Sequence, residues 1–365
     1  MNFHPKYQRH LRQALTFALI WMFFGIIYCL IEQGILGRET VYPSTGNPYN
    51  FKNSLFFVGL GCFVLGAIQG WVETVWLQKL FDAKPLWSKL LLKGAYYLIF
   101  LVLFLSAIAI SINSYYLKAS PFDFAVLETF LKFIGKFPFW SVIIYSAAIL
   151  IIALFFSEVN QYLGIGMFRN FFLGKYHRPK TEIRIFMFLD MKSSTTIAES
   201  LGHERYFDFL KLYYSHMSDA ILETSGEIYQ YVGDEIVISW TKKIGVHQFN
   251  FLRCFELISL SIFNNRKIYQ SRFGLVPEFK AGFHVGEVTI GEIGYIKKEL
   301  IYTGDVLNTT ARIQAECNNH ESKVLLSGIL VEALPHSEKY SFSKIGHPLL
   351  RGKKEPVTLF KADFN

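Results

Sequence analysis

Four apolar runs, approximately Ala14–Ile31, Leu55–Leu77, Leu91–Ile112 and Phe139–Phe156, dominate the first 156 residues. Crossing the hydrocarbon core of a bilayer takes roughly 20 helical residues, and backbone there must satisfy its own hydrogen bonds. The runs therefore predict four transmembrane helices. A chain of 365 residues leaves room for a soluble domain as well. Hydrophobic residues make up 52% and charged residues 18%, and the apolar excess lies before residue 160, as that division requires. The first run sits where a signal peptide would. It lacks a small-residue cleavage site and leads into further spans, so it reads as a retained helix.

Lys and Arg in the short connections set the expected orientation. Lys6, Arg9, Arg12, Lys79, Lys84, Lys89, Lys93, Arg169, Lys175, Arg178 and Lys180 fall on one side, against Arg38, Lys52, Lys118, Lys132 and Lys136 on the other. Eleven against five predicts a multi-pass cell-membrane protein with both termini and the soluble half in the cytoplasm. The net charge of +8 is then a topology signal, and without a basic stripe interleaved with aromatics no nucleic-acid partner is expected. Cys29, Cys62, Cys254 and Cys317 form no CxxC pair and indicate neither a disulfide framework nor a zinc site. In the second run, Gln69 and Glu73 lie among Gly59, Gly66 and Gly70. An intramembrane carboxylate suggests a functional site, although Glu73 is near enough to the cytoplasmic end to snorkel instead. The glycines favour close helix approach.

Residues 157–182 read as a coupling helix or linker that breaks at Gly174 and Pro179, with an apolar face of Phe168, Phe171 and Phe172. The division is then a transmembrane domain at 1–156, this connection, and a soluble domain at 183–365. In the soluble half, "EIRIFMFLD" is an alternating strand ending on Asp190. A helix is predicted over about Ser194–Glu223, capped by "SSTT". "GEIYQYVGDEIVISW" forms a tight hairpin around Gly233-Asp234, and a helix follows at about Val246–Gln270. "EFKAGFHVGEVTIGEIG" predicts a strand, a turn and another strand, with a further helix in "IYTGDVLNTTARIQ". The order is β-α-β-β-α-β with additions, an α+β ferredoxin-like pattern.

Asp190 and Asp234 end adjacent strands in that pattern. Two carboxylates facing each other at a sheet edge repel unless a cation lies between them, and hard cations such as Mg2+ favour such oxygen ligands together with substrate phosphates. Asn308 and Arg312, four residues apart, share one helix face. An Arg there supplies a fork for phosphoryl oxygens and an Asn can orient a sugar oxygen. Lys353, in "LLRGKKEPVTLF", adds a point charge suited to a polyphosphate.

Together "FLDMKSSTTIAE", "YVGDEIVISW", "GFHVGEVTIGEIG", "YTGDVLNTTARIQ" and "LRGKKEPVTLF" cover the soluble half in order and resemble the catalytic domain of class III nucleotidyl cyclases, the adenylate and guanylate cyclases. The resemblance implies a membrane-anchored adenylate cyclase that converts ATP to 3′,5′-cyclic AMP and diphosphate. It implies two divalent cations, Mg2+ or Mn2+, held by Asp190, Asp234 and the backbone of Met191. Asn308 and Arg312 would be catalytic and Lys353 would bind substrate phosphate, in sites shared across a head-to-tail homodimer. The base-reading positions depart from the pattern. Gln230 stands where adenylate cyclases usually carry Lys, Ile301 stands where they carry Asp or Thr, and neither matches the Glu/Cys pair of guanylate cyclases. A cyclase making cyclic GMP or a cyclic pyrimidine nucleotide is therefore an alternative, as is a membrane receptor with a weakly catalytic nucleotide-binding module. A diguanylate cyclase fits poorly, because Val232 replaces a glycine of its turn.

Overall fold

The computed structural model describes residues 5–43, 46, 48–81, 84–163 and 174–364. It divides into two compact units, one spanning Tyr7–Leu163 and a second holding the chain beyond Leu163.

The first unit is helical: α1 (Pro5–Leu36), α2 (Phe51–Val72), a π-helical turn (Glu73–Leu77) running into α3 (Gln78–Phe81), α4 (Leu86–Leu117), α5 (Phe124–Ile134) and α6 (Phe137–Leu163). Four stretches, His10–Leu36, Phe51–Leu77, Leu86–Leu117 and Phe137–Asn160, are long and apolar enough to cross a bilayer, so this is a membrane protein. Each outruns its apolar run, because helices continue past the point where hydropathy falls. The short α5, capped by Asp123 accepting from the Ala125 N–H at 2.9 Å, lies in a connection that the sequence reading left without structure. Gly66 and Gly70 do bring helices together: a Cβ on Gly66 would meet Phe17 O at 2.6 Å, and one on Gly70 would meet Ala14 Cα at 2.6 Å. Gly59 faces open space.

Two expectations change here. Glu73 does not snorkel. It is 2% exposed and ion-paired to Lys93 Nζ at 2.5 Å, because a carboxylate in an apolar bundle needs a partner. Lys89 and Lys93 are not loop charges either, since both are buried on α4. Lys93 also contacts Glu158 at 2.7 Å. Removing these two from the eleven leaves nine basic residues against five.

Helix α6 runs to Leu163 and the next described strand begins at Lys180, so both neighbours extend into the expected connection. Phe168, Phe171 and Phe172 lie outside the described residues.

The second unit holds one eight-stranded sheet in the order β2-β3-β1-β4-β6-β8-β7, with β5 on β4. Its strands are β1 (Lys180–Met191), β2 (Glu227–Val232), β3 (Glu235–Thr241), β4 (Phe279–Ile293), β5 (Glu299–Thr303), β6 (Val324–Ser327), β7 (Tyr340–Gly346) and β8 (Leu359–Phe364). Central β1 is antiparallel to β3 and β4, which is the split βαβ arrangement expected. The helices are α7 (Ser194–Leu201), α8 (His203–Glu223), α9 (Lys242–Val246), α10 (Asn250–Asn264), α11 (Arg266–Phe273), α12 (Asp305–Asn319) and α13 (Gly328–Glu332). Alternation divides the sheet's faces. Ile185, Met187 and Leu189 of β1 pack with Phe209, Tyr213 and Phe251 in the larger core, while Phe186 and Phe188 pack with Val288 and Val306 on the α12 side.

The helix expected over Ser194–Glu223 breaks at Gly202, which has φ 75°, and Ser193 makes no side-chain cap there. The helix expected from Val246 is replaced by α9, α10 and α11 with a 3-10 turn between. The turn expected within "GFHVGEVTIG" is absent, since β4 is continuous through it. Its glycines do different work. A Cβ on Gly282 would lie 2.4 Å from Gln314 N, and one on Gly286 would lie 3.1 Å from Val306 Cβ, so these positions let α12 rest on the sheet.

Candidate active site

Asp190, next to last in β1, and Asp234, in the two-residue turn between β2 and β3, meet at one end of the sheet. Pairing of Leu189 with Ile236 fixes the register. Gly233 takes φ 63° to make the turn, and the Tyr214 hydroxyl donates to Gly233 O at 2.8 Å to hold it. Asp190 is held above its ordinary carboxylate range, first by burial and then by the charge and hydrogen bonding of Asp234. Glu235 is pushed up to about 7 by burial and by both aspartates. Opposing this, Lys280 Nζ lies 3.5 Å from Asp190 Oδ2 and Gln314 Nε2 donates to the same oxygen at 3.0 Å. Asp234 Oδ2 is buried without a hydrogen-bond partner. A buried orphan carboxylate oxygen beside a second carboxylate is costly in isolation and fits a hard divalent cation. Two carboxylates with room for phosphates, rather than a closed protein cage, is the donor set Mg2+ tends to take. The Met191 side chain is buried in the larger core, which leaves only its backbone for such an ion.

Asn308, Arg312 and Lys353 gather elsewhere. Asn308 is exposed and Arg312 half-buried on α12. Lys353 is ion-paired to Asp305 at the start of that helix, and Lys353 holds the Asp305 carboxyl below its usual range. Gly352, at φ 72°, lies beneath Arg312, where a Cβ would come within 3.2 Å of Nη2. The "RGKKEP" turn therefore carries a glycine that seats the guanidinium next to the lysine. Nearby His284 bonds Ser327 Oγ at 2.7 Å. Burial, with help from Lys353, pushes it down to about 4, so it is neutral at pH 7.

No hydrogen bond or ion pair joins this cationic group to Asp190 or Asp234 among the described residues. The reason is helical geometry. Gln314, which reaches Asp190, lies two positions from Arg312, roughly 200° around α12. The face that packs on the sheet serves the aspartates, and the opposite face presents Asn308 and Arg312.

Gln230 is exposed on β2 and Ile301 half-buried on β5. Their sequence neighbours Tyr229 and Tyr302 stack face to face, with ring centroids 4.5 Å apart and planes 8° apart. This stack links two strands that are not paired. Beneath Tyr302 lies Arg184, 1% exposed, held by Glu182 at 3.0 Å and Glu227 at 2.5 Å. Sequence reading missed Lys280, Gln314 and Arg184. The available signal was a charged or amide residue recurring in the buried phase of a strand or helix.

Adenylate cyclase 2 of Rhizobium meliloti (strain 1021) is 34% identical over 222 residues, covering 61% of this chain and 61% of that protein. Adenylate cyclase 1 of the same organism is 27% identical over 183 residues, covering 48% of this chain and 26% of that one. The chain thus spans less than two thirds of these curated relatives. Among solved structures, a bacterial light-regulated adenylyl cyclase shares the fold, with a TM-score of 0.51 at 18% identity, covering 60% of this chain and 64% of that one. Residues 176–361, the whole sheet except the last three residues of β8, match one family model, and through them the chain belongs to the adenylate and guanylate cyclase catalytic domain family.

Proposed function

We propose that the protein is a membrane-anchored adenylate cyclase that converts ATP to 3′,5′-cyclic AMP and diphosphate in sites shared by two copies of the chain. The observation that carries this reading is the separation just described: a carboxylate pair with an orphan oxygen and a cationic Asn308–Arg312–Lys353 group on opposite faces of α12. Two chains related head to tail would bring the carboxylates of one copy and the cationic group of the other to one nucleotide. The β4–β5 hairpin favours such a partner, since Ile293, Tyr295 and Ile296 are 52%, 99% and 101% exposed at its tip, and exposed apolar groups of this kind mark association surfaces.

In the reaction the ribose 3′-oxygen attacks the α-phosphorus, its proton passes to solvent, and the bond to the β-phosphate oxygen breaks to release diphosphate. Asp190 and Asp234, with the Met191 backbone, would hold two divalent cations, Mg2+ or Mn2+, which activate the attacking oxygen and neutralise the leaving one. Arg312 places a rigid fork at the phosphoryl oxygens where charge redistributes, and Lys353 counters the polyphosphate. Asn308 orients the ribose. Gln230 and Ile301 border the base. Gln both donates and accepts and Ile offers only shape, so this pair supports a second reading, a cyclase of other base preference. Nine basic residues against five support cytoplasmic termini and a cytoplasmic catalytic unit.

The test is a full-length preparation in membranes given ATP, GTP, CTP and UTP in turn with Mg2+ or Mn2+. Cyclic AMP should dominate, and Asp190→Ala or Asp234→Ala should leave less than about a tenth of the activity, because each carboxylate holds charge needed in the transition state. A dominant cyclic GMP or pyrimidine product would replace the reading with its alternative. Activity surviving either substitution would remove the metal assignment.

A further inference from the structure

The membrane unit contains a polar chain that the cyclase reaction does not use. Trp21 Nε1 donates to Gln69 Oε1 at 2.6 Å. The Tyr97 hydroxyl lies within hydrogen-bond reach of Gln69 O at 3.3 Å and Glu73 Oε2 at 3.1 Å. Glu73 pairs with Lys93, and Lys93 with Glu158 on α6. Lys89 completes the group 3.8 Å from Glu158, so two carboxylates face two ammonium groups. Glu73 opens the π-helical turn, a distortion that often accompanies functional sites.

Gln69 is 6% exposed, yet its Nε2 has no partner. The amide orientation is fixed chemically, because an indole N–H only donates and must face Oε1. The unpaired group is therefore an NH2 donor. Gln69 lines a cavity of about 100 Å³ between α2 and α4. Trp21, Tyr97 and Leu150 form its buried inner wall, and Ile68 and Phe100, 46% and 44% exposed, form its outer rim. In a bilayer that rim faces acyl chains, so the cavity opens sideways into lipid. A water there would find few of the two to four polar partners it needs, because the lining is almost wholly apolar.

We propose that this crevice binds a neutral, lipid-soluble amphiphile: an apolar chain ending in one hydrogen-bond-accepting oxygen, as in an ester or ether, which accepts from Gln69 Nε2. A charged head gains nothing beside a balanced group of ions. An alkane leaves the donor unpaired, which buried sites penalise heavily. Occupancy acts on α2 at Gln69, one turn from Glu73, and reaches α6 through Tyr97, Glu73, Lys93 and Glu158. The chain continues from α6 into the cyclase unit. The coupling half of this inference rests on the proposed cyclase activity; the binding half does not.

The full-length protein in phosphatidylcholine nanodiscs is photolabelled with methyl dodecanoate carrying a diazirine beside the ester carbonyl, and labelled peptides are mapped. Saturable labelling on the Trp21 and Leu150 peptides is expected, with unlabelled methyl dodecanoate competing about tenfold better than dodecane, the factor expected of one buried hydrogen bond. Gln69→Leu should erase the preference for the ester, and Leu65→Trp, which fills the crevice, should erase the labelling. Labelling confined to lipid-facing residues, or equal competition by dodecane, means that acyl chains alone occupy the crevice and overturns the site. The second readout is nucleotide cyclisation with and without methyl dodecanoate. A change of about twofold or more, lost in Gln69→Leu and in Glu158→Gln, is the size expected of allosteric coupling. Labelling without any change in a working cyclase overturns the coupling and leaves the site. A preparation with no cyclase activity refutes the proposed function instead, and the labelling still decides the site.

Discussion

Replacing Asp190 by Asn should make the protein more stable and inactive at once. Two carboxylates about 4 Å apart repel by about 4 kcal/mol at the effective dielectric of a protein surface. Lys280 at 3.5 Å and the Gln314 amide at 3.0 Å offset much of this. Asp190 is also 26% exposed, so solvent screens what remains, leaving about 1–2 kcal/mol. The sign follows from the direction of the shift. A carboxyl held above its ordinary range in the folded state costs stability once pH exceeds its unfolded value, so at pH 7 the cost is present and acidification relieves it. Asp190→Asn removes it while keeping an acceptor for Gln314. In chelator the midpoint should rise by about 2–8 °C for a unit of this size. Added Mn2+ should reverse the order, since a cation at about 100 times its Kd stabilises the wild type by about 2.7 kcal/mol and the variant has lost a ligand. The assay is pulse proteolysis across a temperature series on the full chain in detergent, followed through a C-terminal epitope tag. A variant that melts below the wild type in chelator, or equal shifts by Mn2+ in both proteins, would refute the charge-pair argument.

Three further outcomes are expected. Co-expressing Asp190→Ala with Arg312→Ala should restore about a quarter of wild-type activity, because random pairing makes half the dimers mixed and each then has one intact site; no recovery, with mixed dimers shown to form, rules out shared sites. Because His284 is neutral when folded, with its pKa down at about 4 against 6.5 in the unfolded chain, stability should fall as pH drops below 6.5, by on the order of 3 kcal/mol near pH 4. Denaturant titrations of His284→Gln should show a shallower decline, and an identical one refutes the assignment. Finally, Ser120→Cys, in the connection between α4 and α5, should react with an impermeant maleimide from outside intact cells, and protection until lysis would invert the topology.

Much of this architecture was legible because it rests on periodicity. Four apolar runs announced four helices, and alternation in "EIRIFMFLD" put Asp190 at a strand end. What stayed hidden depends on tertiary approach. Gly282 and Gly286 look like turn residues in one dimension and prove to be contact points for a helix packed from elsewhere in the chain. Lys93 looks like a loop charge until Glu73 and Glu158, 20 and 65 residues away, close around it. The candidate site was read from Asp190, Asp234, Asn308, Arg312 and Lys353 as a family pattern. That the aspartates and the cationic residues face apart on α12 emerged only from the packing of Gln314.

The glycine seam gives α12 a hard stop. Where two elements meet through interlocking side chains, trimming a methyl lets them settle into a new spacing. Here backbone nearly touches backbone at Gly282 and Gln314, so the separation is set by van der Waals radii that no substitution elsewhere can shrink. An apolar position away from that contact, such as Ile313, can be trimmed at the expense of stability alone. The position of Arg312 stays set by that seat on the sheet, and over evolutionary time this region can change its packing without moving the helix that carries the guanidinium.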